Sequence, residues 1–252
     1  MTSKIVFSII TPSCGKRPKA LARAVESVAE AVLRATPRLA PDQVEMLVGF
    51  DGVKGRRPEH PSFVRFFDFR PDNDWGNGIR DLLLKISQGD RIIFLDDDNI
   101  LKSNALNVYL DHPAPEMVIG RIDTQLAHEK PYLPEVEPGR DVVRQCNIDP
   151  LCLCLARELV VVRCGGWGFR GRYESDFLNI RHYHRRAASV ELVTDTVGVY
   201  DGGRGLDLGG FSNRQARLLD LRLREKDRLV EQSGLEPMVP EVPAQPQELV
   251  QV

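Results

Sequence analysis

The residues with the most evident chemistry are the three adjacent carboxylates of Asp96-Asp97-Asp98-Asn99, which directly follow the apolar stretch 91–95. Adjacent carboxylates repel one another, so a cation or a set of hydrogen-bond donors must hold them together. If the chain stays extended, Asp96 and Asp98 point to one side and Asp97 to the other. Because few other all-protein ligands are present, the pattern favours Mg²⁺ or Mn²⁺ held partly by substrate phosphates. The alternative is an acidic, solvated turn that caps the next helix.

The elements that must position this run alternate between strands and helices. Residues 5–10 form a continuous β-branched run, typical of a strand buried on both faces. Pro18 opens a helical pattern whose apolar residues fall on one stripe. This alternation predicts an α/β fold with a central, mostly parallel mixed sheet and helices on both faces. The full prediction is strands over 5–10, 44–50, 63–69, 91–95, 117–120, 151–155, 190–194 and 197–200, and helices from Pro18 to before Pro37, around 79–86, and over 156–162, 175–186 and 211–232.

Three of the predicted strands end in polar residues. Thr11-Pro12 follows the first strand, Asp51 closes the second, and the acidic run follows the fourth. Because ligands bind outside the carboxyl ends of the strands in an open α/β sheet, we expect these groups to line one site.

The composition excludes several classes of protein. The 252 residues carry 34 Lys+Arg against 36 Asp+Glu, a formal charge of −2, which argues against a nucleic-acid partner. No apolar run is long enough to span a membrane, and no secretory signal precedes the first strand, so we expect a cytoplasmic protein. Five cysteines without a CxxC pair are expected to be free thiols rather than zinc ligands.

The chain shows no internal repeat and no separate linker, so we expect one compact domain over 1–235. Its parts are expected to be a nucleotide-binding half over 1–100, an acceptor half over 101–210 and a C-terminal helix over 211–235. A Pro-rich tail follows over 236–252.

Seven short segments add a signal through their order and spacing: Ser8–Ser13, Leu21–Val28, Gly49–Gly52, Gly76–Asp81, Phe94–Asn99, Cys164–Trp167 and Glu174–Arg181. Together they resemble the family 2 glycosyltransferases of the GT-A fold, which use nucleotide-sugar donors. The resemblance covers about residues 5–200. It implies metal-dependent transfer of a sugar, with a UDP-sugar as the favoured donor, to an acceptor hydroxyl, with inversion through a single displacement.

The resemblance also implies roles for individual residues on the donor side. Thr11 and Pro12 would line the nucleotide pocket, and Asp51 would bind the uracil or the ribose. In the same comparison Arg80 would contact the nucleotide, Asp96 or Asp97 would reach the ribose, and Asp98 would hold Mn²⁺ or Mg²⁺ against the two phosphates. The metal would offset the charge that develops on the leaving diphosphate.

On the acceptor side, the resemblance makes Asp176 the general base, with Glu174 as its rival. Both acids could instead be ordinary helix N-terminal residues. Gly166 and Trp167 would contact the sugar or the acceptor, although Trp167 could equally be a core residue.

A glycine-rich loop at 201–210 is predicted to be mobile and to close over the donor as a lid. Its candidate residues are Tyr200, Asp201 and Arg204, with Asp201 near the metal and Arg204 on a phosphate.

The sequence departs from the family pattern in three respects. The second strand ends in one acid instead of a pair, Ser175 separates the two acids at 174 and 176, and no Gln-x-x-Arg-Trp motif follows. Two other functions therefore stay open: a non-catalytic protein that binds UDP or a nucleotide sugar, and a nucleotidyltransferase. The second lacks a glycine-rich phosphate loop with lysine after the first strand. The sugar, the acceptor and the oligomeric state are not readable from the sequence.

Overall fold

A computed structural model of the chain describes residues 3–208, together with 216, 219–221 and 223–224. Its α-helices are α1 (Pro18–Ala35), α2 (Asn77–Ile86), α3 (Ala105–Asp111) and α4 (Ser175–Arg186). Its strands are β1 (Phe7–Ser13), β2 (Val44–Asp51), β3 (Val64–Phe69), β4 (Arg91–Phe94), β5 (Ile100–Leu101), β6 (Met117–Asp123), β7 (Tyr132–Leu133), β8 (Leu153–Ala156) and β9 (Val190–Val199). Short 3₁₀ turns lie at Pro41–Gln43 and Pro150–Cys152, and a π-helical turn at Glu158–Arg163.

The nine strands form one mixed sheet in the order β3-β2-β1-β4-β8-β6-β9-β5, with β7 paired to β6. The first four strands in this order are parallel. The chain passes from β1 through α1 to β2, and then from β3 through α2 to β4 on the other side of β1. Because both crossovers are right-handed by the general rule and run in opposite directions, α1 and α2 cover opposite faces. The predicted α/β fold class is confirmed.

The position between β1 and β4 is the topological switch point of this sheet. Ile10 lies beside Phe94 in the register of these two strands, so the acidic run that follows Phe94 lies beside the last residues of β1. Crevices for ligands form at such points, outside the carboxyl ends of the strands. The acidic run and the end of β1 therefore meet in space, as the sequence predicts.

The second half of the sheet is less regular. Strand β8 runs antiparallel to both β4 and β6, whereas β9 runs parallel to β6 with a register irregularity near Arg121. The two strands predicted over 190–194 and 197–200 are one strand, β9, and the short strands β5 and β7 were not predicted. The reason for the first difference is the exposed polar stretch around Asp195, which interrupts the apolar pattern and shifts the register, while β9 pairs with β6 on both sides of it.

The core lies on both faces of the parallel strands. All seven residues of β1 are buried, as the continuous apolar run predicts. The predicted apolar stripe of α1 is buried as well: Leu21, Ala24, Val25, Val28, Ala31 and Val32. The five cysteines are free, and Cys152 and Cys154 are core residues.

Two sequence predictions lie largely outside the described residues. Of the predicted helix over 211–235, the residues at 216, 219–221 and 223–224 are described and are helical, and the tail over 236–252 is not described. The division of 1–235 into two halves stays a prediction. Within the described part of the chain, no helix is long and apolar enough to cross a membrane.

Candidate functional site

A cavity of about 460 Å³ opens at the carboxyl ends of β1, β2 and β4. Its volume is in the range of pockets that hold small ligands. Ten of the predicted site residues line it: Pro12, Asp51, Arg80, Asp96, Asp97, Asp98, Asp176, Tyr200, Asp201 and Arg204. Six further lining residues were not predicted: Ser13, Cys14, Arg17, Asn73, Trp75 and Gly76.

The acidic run does not continue as an extended strand. The Asn99 N–H donates to the carbonyl of Asp96 at 3.0 Å, so the chain turns immediately after β4. As a result Asp97 and Asp98 face the same guanidinium, that of Arg17, and Asp96 faces a different one. The prediction that Asp96 and Asp98 point to the same side assumed an extended chain. The chain turns instead, and the two carboxylates face different arginines.

Arg17 is the residue that holds two of the three carboxylates together. One of its terminal nitrogens donates to Asp97 Oδ1 and the other to Asp98 Oδ2. Asp97 is fully buried and also accepts a hydrogen bond from Ser13 Oγ at 2.6 Å. Burial opposes the charge of Arg17, but the neighbouring carboxylates of Asp97 and Asp98 outweigh that effect and raise its pKa, so the side chain stays protonated.

Arg80 holds the third carboxylate from the opposite side of the cavity. This buried side chain donates to Asp96 Oδ1 at 2.5 Å and lies 3.7 Å from Asp176 Oδ1. Its guanidinium lies over the ring of Trp167, 5.1 Å from the centroid, which adds a cation–π contact. Burial opposes its charge, but Asp96 and Asp176 outweigh that effect and raise the pKa of Arg80.

The two arginines leave the cavity with an excess of carboxylate. Burial, together with the carboxylates of Asp96, Asp97 and Asp201, raises the pKa of Asp98 to about 7 against the opposing charge of Arg17. Burial also raises the pKa of Asp97. The site therefore favours an additional positive charge near Asp98.

Asp51, for which a contact with the nucleotide was predicted, lines the cavity and also fixes the conformation of a neighbouring loop. Its two oxygens accept the backbone N–H groups of Asp72 at 2.6 Å and Asn73 at 3.1 Å, which fixes the loop before α2. This loop carries Trp75, whose φ of 49° is left-handed and whose side chain is 72% exposed. The Trp75 carbonyl accepts a hydrogen bond from Arg80 at 3.2 Å. This hydrogen bond to the Trp75 backbone thus holds the exposed Trp75 ring at the cavity.

Four predicted site residues lie outside the cavity lining. The Thr11 side chain is fully buried and does not line the cavity, whereas the next two residues, Pro12 and Ser13, do. Trp167 is fully buried, with its indole N–H donating to Asn77 Oδ1 at 2.8 Å. Gly166 is buried beside Asp81, and a Cβ there would lie 2.6 Å from the Asp81 carboxylate. Trp167 is therefore a core residue that supports Arg80, which is the alternative the sequence left open.

Of the two acids considered as the base, only Asp176 lines the cavity; Glu174 is exposed outside it. Burial raises the pKa of Asp176, against the effect of Arg80. Asp149 was not among the predicted site residues; its carboxylate accepts the Leu151 N–H at 2.9 Å. Burial raises the pKa of Asp149 to about 8, and the charges of Asp96 and Asp176 contribute.

The predicted lid is a series of turns over 201–208 that is docked against the site. The Gly203 N–H donates to the carbonyl of Asp98, and the Asp201 N–H to Asn99 Oδ1, both at 2.8 Å. Arg204 lies 3.3 Å from Asp201. At the far end, Asp207 accepts the N–H groups of the first turn of α1. The loop therefore touches both the acidic run and the first turn of α1, which directly follows Arg17.

The described residues of the cavity can offer a divalent cation one or two carboxylates but not a complete set of protein ligands. Among residues 3–208 and the few described beyond them, no group of three His, Cys, Asp or Glu side chains could enclose a metal. Mg²⁺ and Mn²⁺ sites of this type use one or two carboxylates and complete their shell with phosphates and water. The excess of carboxylate around Asp98 fits an ion held in that way.

Comparisons with known proteins were made at the levels of sequence and structure. No family model matches the chain, and no significant match is found among curated proteins. The solved structure of S. aureus TarS 1–349 has a TM-score of 0.62 at 14% identity, covering 94% of this chain and 76% of that one. TarS 1–349 in complex with UDP gives 0.62 at 12%, with the same coverage, and in complex with UDP-GlcNAc 0.57 at 13%, covering 78% and 58%. These likenesses establish the fold, which is the GT-A glycosyltransferase fold.

Proposed function

We propose that this protein transfers a sugar from a nucleotide-sugar donor, a UDP-sugar, to an acceptor hydroxyl in a metal-dependent reaction. The observation that carries the proposal is the cavity at the β1/β4 switch point, lined by arginines and by the acidic run. Structures of the same fold hold UDP and UDP-GlcNAc in TarS. The cytoplasmic location predicted from the sequence is part of the same proposal.

The donor would occupy the side of the cavity formed by β1, β2 and the loop before α2. Pro12, Asn73 and Trp75 offer a mostly uncharged surface to the nucleobase, and Asp96, which also lines the cavity, would accept a hydrogen bond from a ribose hydroxyl. Arg17 and Arg204 supply positive charge on the lid side for the diphosphate. This division by charge orients the donor along the cavity.

Asp98 would hold Mn²⁺ or Mg²⁺ together with the donor phosphates, and Asp201 adds negative charge beside it. When bound, the ion supplies positive charge that offsets the charge on the departing nucleoside diphosphate. Arg80, which the two acids Asp96 and Asp176 keep charged, fixes the positions of both carboxylates.

Asp176 is the proposed general base. Its carboxylate lines the cavity and is raised in pKa by burial, which brings it closer to the range suited to accepting a proton from a hydroxyl. The acceptor oxygen then attacks the anomeric carbon, the bond to the diphosphate breaks, and the proton stays on Asp176. A single displacement of this kind inverts the configuration.

Calorimetry of UDP binding with and without Mn²⁺ tests the donor half of the proposal. We expect the wild-type protein to bind UDP in a metal-dependent manner and Asp98→Asn to lose that dependence. Asp195→Asn, an exposed acid on β9, is the matched control. Absence of UDP binding by the wild type, with or without Mn²⁺, would refute the proposal.

A second candidate function is nucleotide-sugar binding without transfer. The observation in its favour is that Gly166, Trp167 and Glu174 do not reach the cavity, so that Asp176 alone remains of the predicted acceptor residues. Release of UDP from a panel of UDP-sugars, with and without added acceptors, separates the two functions. Tight UDP binding with no turnover in any reaction would favour the binding protein.

A further inference from the structure

The acidic run already has a cation of its own in this structure. The Arg17 guanidinium spans Asp97 and Asp98, one nitrogen on each carboxylate, while remaining 31% exposed at the wall of the cavity. A divalent ion at Asp98 and the Arg17 guanidinium need the same carboxylate. Both would neutralise the same charge, so each weakens the binding of the other.

Arg17 also has an unused donor. Its Nε is buried and has no hydrogen-bond partner among the described residues. A buried N–H without a partner is unfavourable, and an oxygen of an anion in the cavity would satisfy it. A phosphate oxygen that accepts a hydrogen bond from Nε would therefore complete the hydrogen bonding of Arg17.

The surroundings allow the side chain to leave without disrupting the fold. Asp97 keeps its hydrogen bond from Ser13 Oγ when Arg17 departs. The Arg17 backbone precedes α1, whose first turn is capped by the carboxylate of Asp207 and not by Arg17 itself. Only the long, flexible side chain has to move.

From these contacts we propose that Arg17 is an internal counter-ion that competes with the divalent cation at Asp98 and transfers to the phosphates of a bound nucleoside diphosphate. This rests on the proposed function, because it assigns an order to donor and metal binding. When the diphosphate takes Arg17, Asp98 becomes available to the metal. The metal and the nucleotide then bind with positive cooperativity, and the metal alone binds weakly.

Electron paramagnetic resonance titration of Mn²⁺ tests this without any turnover. In the wild type we expect UDP to tighten Mn²⁺ binding by about 5- to 150-fold, the usual range of coupling between two sites. In Arg17→Gln we expect Mn²⁺ to bind at least about tenfold more tightly without UDP, and the effect of UDP to shrink accordingly. Arg23→Gln, which removes an arginine of α1 that pairs with Glu26 and Glu30 instead, is the control and should behave as wild type.

Removal of one partner from a buried ion pair can destabilise a protein, so Arg17→Lys is measured as well. A lysine offers one point charge in place of a two-nitrogen fork, and we expect a Mn²⁺ affinity between those of the wild type and Arg17→Gln. Unchanged or weaker Mn²⁺ binding in both folded variants, without UDP, would overturn the inference while leaving UDP binding by the wild type intact. Failure of the wild type to bind UDP would instead overturn the proposed function, and the UDP-free titrations would still decide whether Arg17 competes with Mn²⁺.

Discussion

At the scale of single residues, the two tryptophans of this chain have opposite environments. Trp167 is fully buried between Phe94 and Tyr183, with ring centroids 4.9 and 6.3 Å away, and supports Arg80 from behind. Trp75 is largely exposed and lines the cavity. The aromatic surface available to a ligand is therefore provided by Trp75, and the sequence pattern pointed to the other tryptophan.

Substitution Trp75→Ala is expected to weaken UDP binding without destabilising the protein. Stacking of a base on an aromatic side chain contributes about 1–3 kcal/mol, so the dissociation constant should rise roughly 5- to 150-fold. Calorimetry at fixed Mn²⁺ measures the change, and Tyr173→Ala, an exposed aromatic outside the cavity, is the control. Equal affinities for the Trp75 variant and the wild type would show that the ring does not contact the nucleotide.

Asp149 is expected to make stability depend on pH. Its folded pKa of about 8 lies above the ordinary value of about 3.9, so the folded state holds the proton more tightly. Its contribution to stability is thus present in full below about pH 4 and is lost as the pH rises to about 8. Asp149→Asn keeps an acceptor for the Leu151 N–H and removes the titration.

The measurement is the melting temperature of both proteins between pH 5 and 8.5. The unfolded carboxyl is ionised over this interval and the folded one only above about pH 8, a difference of about 4 kcal/mol, so the wild type should lose roughly 8–16 °C more than Asp149→Asn. A parallel pH dependence in the two proteins would mean that Asp149 is ionised in the folded state throughout.

At the scale of elements, the site depends on a contact between the loop after β9 and the start of α1. Asp207 accepts the Lys19 and Ala20 N–H groups, both at 2.9 Å, and α1 has no acidic residue of its own in the first turn. A carboxylate at this position satisfies orphan donors and interacts well with the helix dipole. The start of α1, which directly follows Arg17, and the loop that carries Arg204 are thereby joined.

Substitution Asp207→Ala should release the loop over 201–208. Loss of an N-cap carboxylate costs about 1 kcal/mol, and we expect faster cleavage of this loop by a protease than in the wild type. UDP with Mn²⁺ should slow the cleavage in both proteins if the loop covers the donor. Asp207→Asn, which retains a capping side chain, should resemble the wild type, and identical cleavage rates in all three would contradict the role of this contact.

At the scale of the whole molecule, the cavity joins segments from distant parts of the chain. Residues from β1, β2, α2, α4, the turn after β4 and the loop after β9 line it. A ligand that binds there stabilises the folded state as a whole, because the unfolded chain does not bring these segments together. This gives a test that does not depend on any single residue.

We expect UDP and Mn²⁺ together to raise the melting temperature. At a ligand concentration about 100 times the dissociation constant the stabilisation is about 2.7 kcal/mol. For a chain of this size that corresponds to a rise of roughly 5–11 °C. Differential scanning fluorimetry measures it, with Mn²⁺ alone and UDP alone as controls, and an additive response to the two ligands would argue against a shared site.

Much of the fold was predictable, because the signals for individual elements are local. The buried strand β1, the amphipathic α1 and the end of β4 follow from apolar periodicity and from breakers beside them. The predictions were less complete for β5, β7 and β9. Short strands and a strand with an exposed polar centre form only because a neighbouring strand pairs with them.

Arg17 shows the same limit at the site. Its position in the short segment between β1 and Pro18 was a usable signal, since a basic residue there lies at the carboxyl edge of the sheet. Its partner Asp98 is 81 residues away, however, and nothing in the sequence near either residue indicates the pair. The same holds for Asp149, whose pKa depends on Asp96 and Asp176 from other elements.

The α/β class, the order of the main elements and the crowded carboxylates at the end of a strand can all be predicted from the amino-acid sequence. These features depend on residues close to one another in the chain, so local patterns are sufficient to predict them. The cation that faces those carboxylates and the tryptophan that reaches the cavity became evident in the folded protein alone. Ion pairing and burial depend on distances between segments far apart in the chain, and those distances exist only once the sheet has formed.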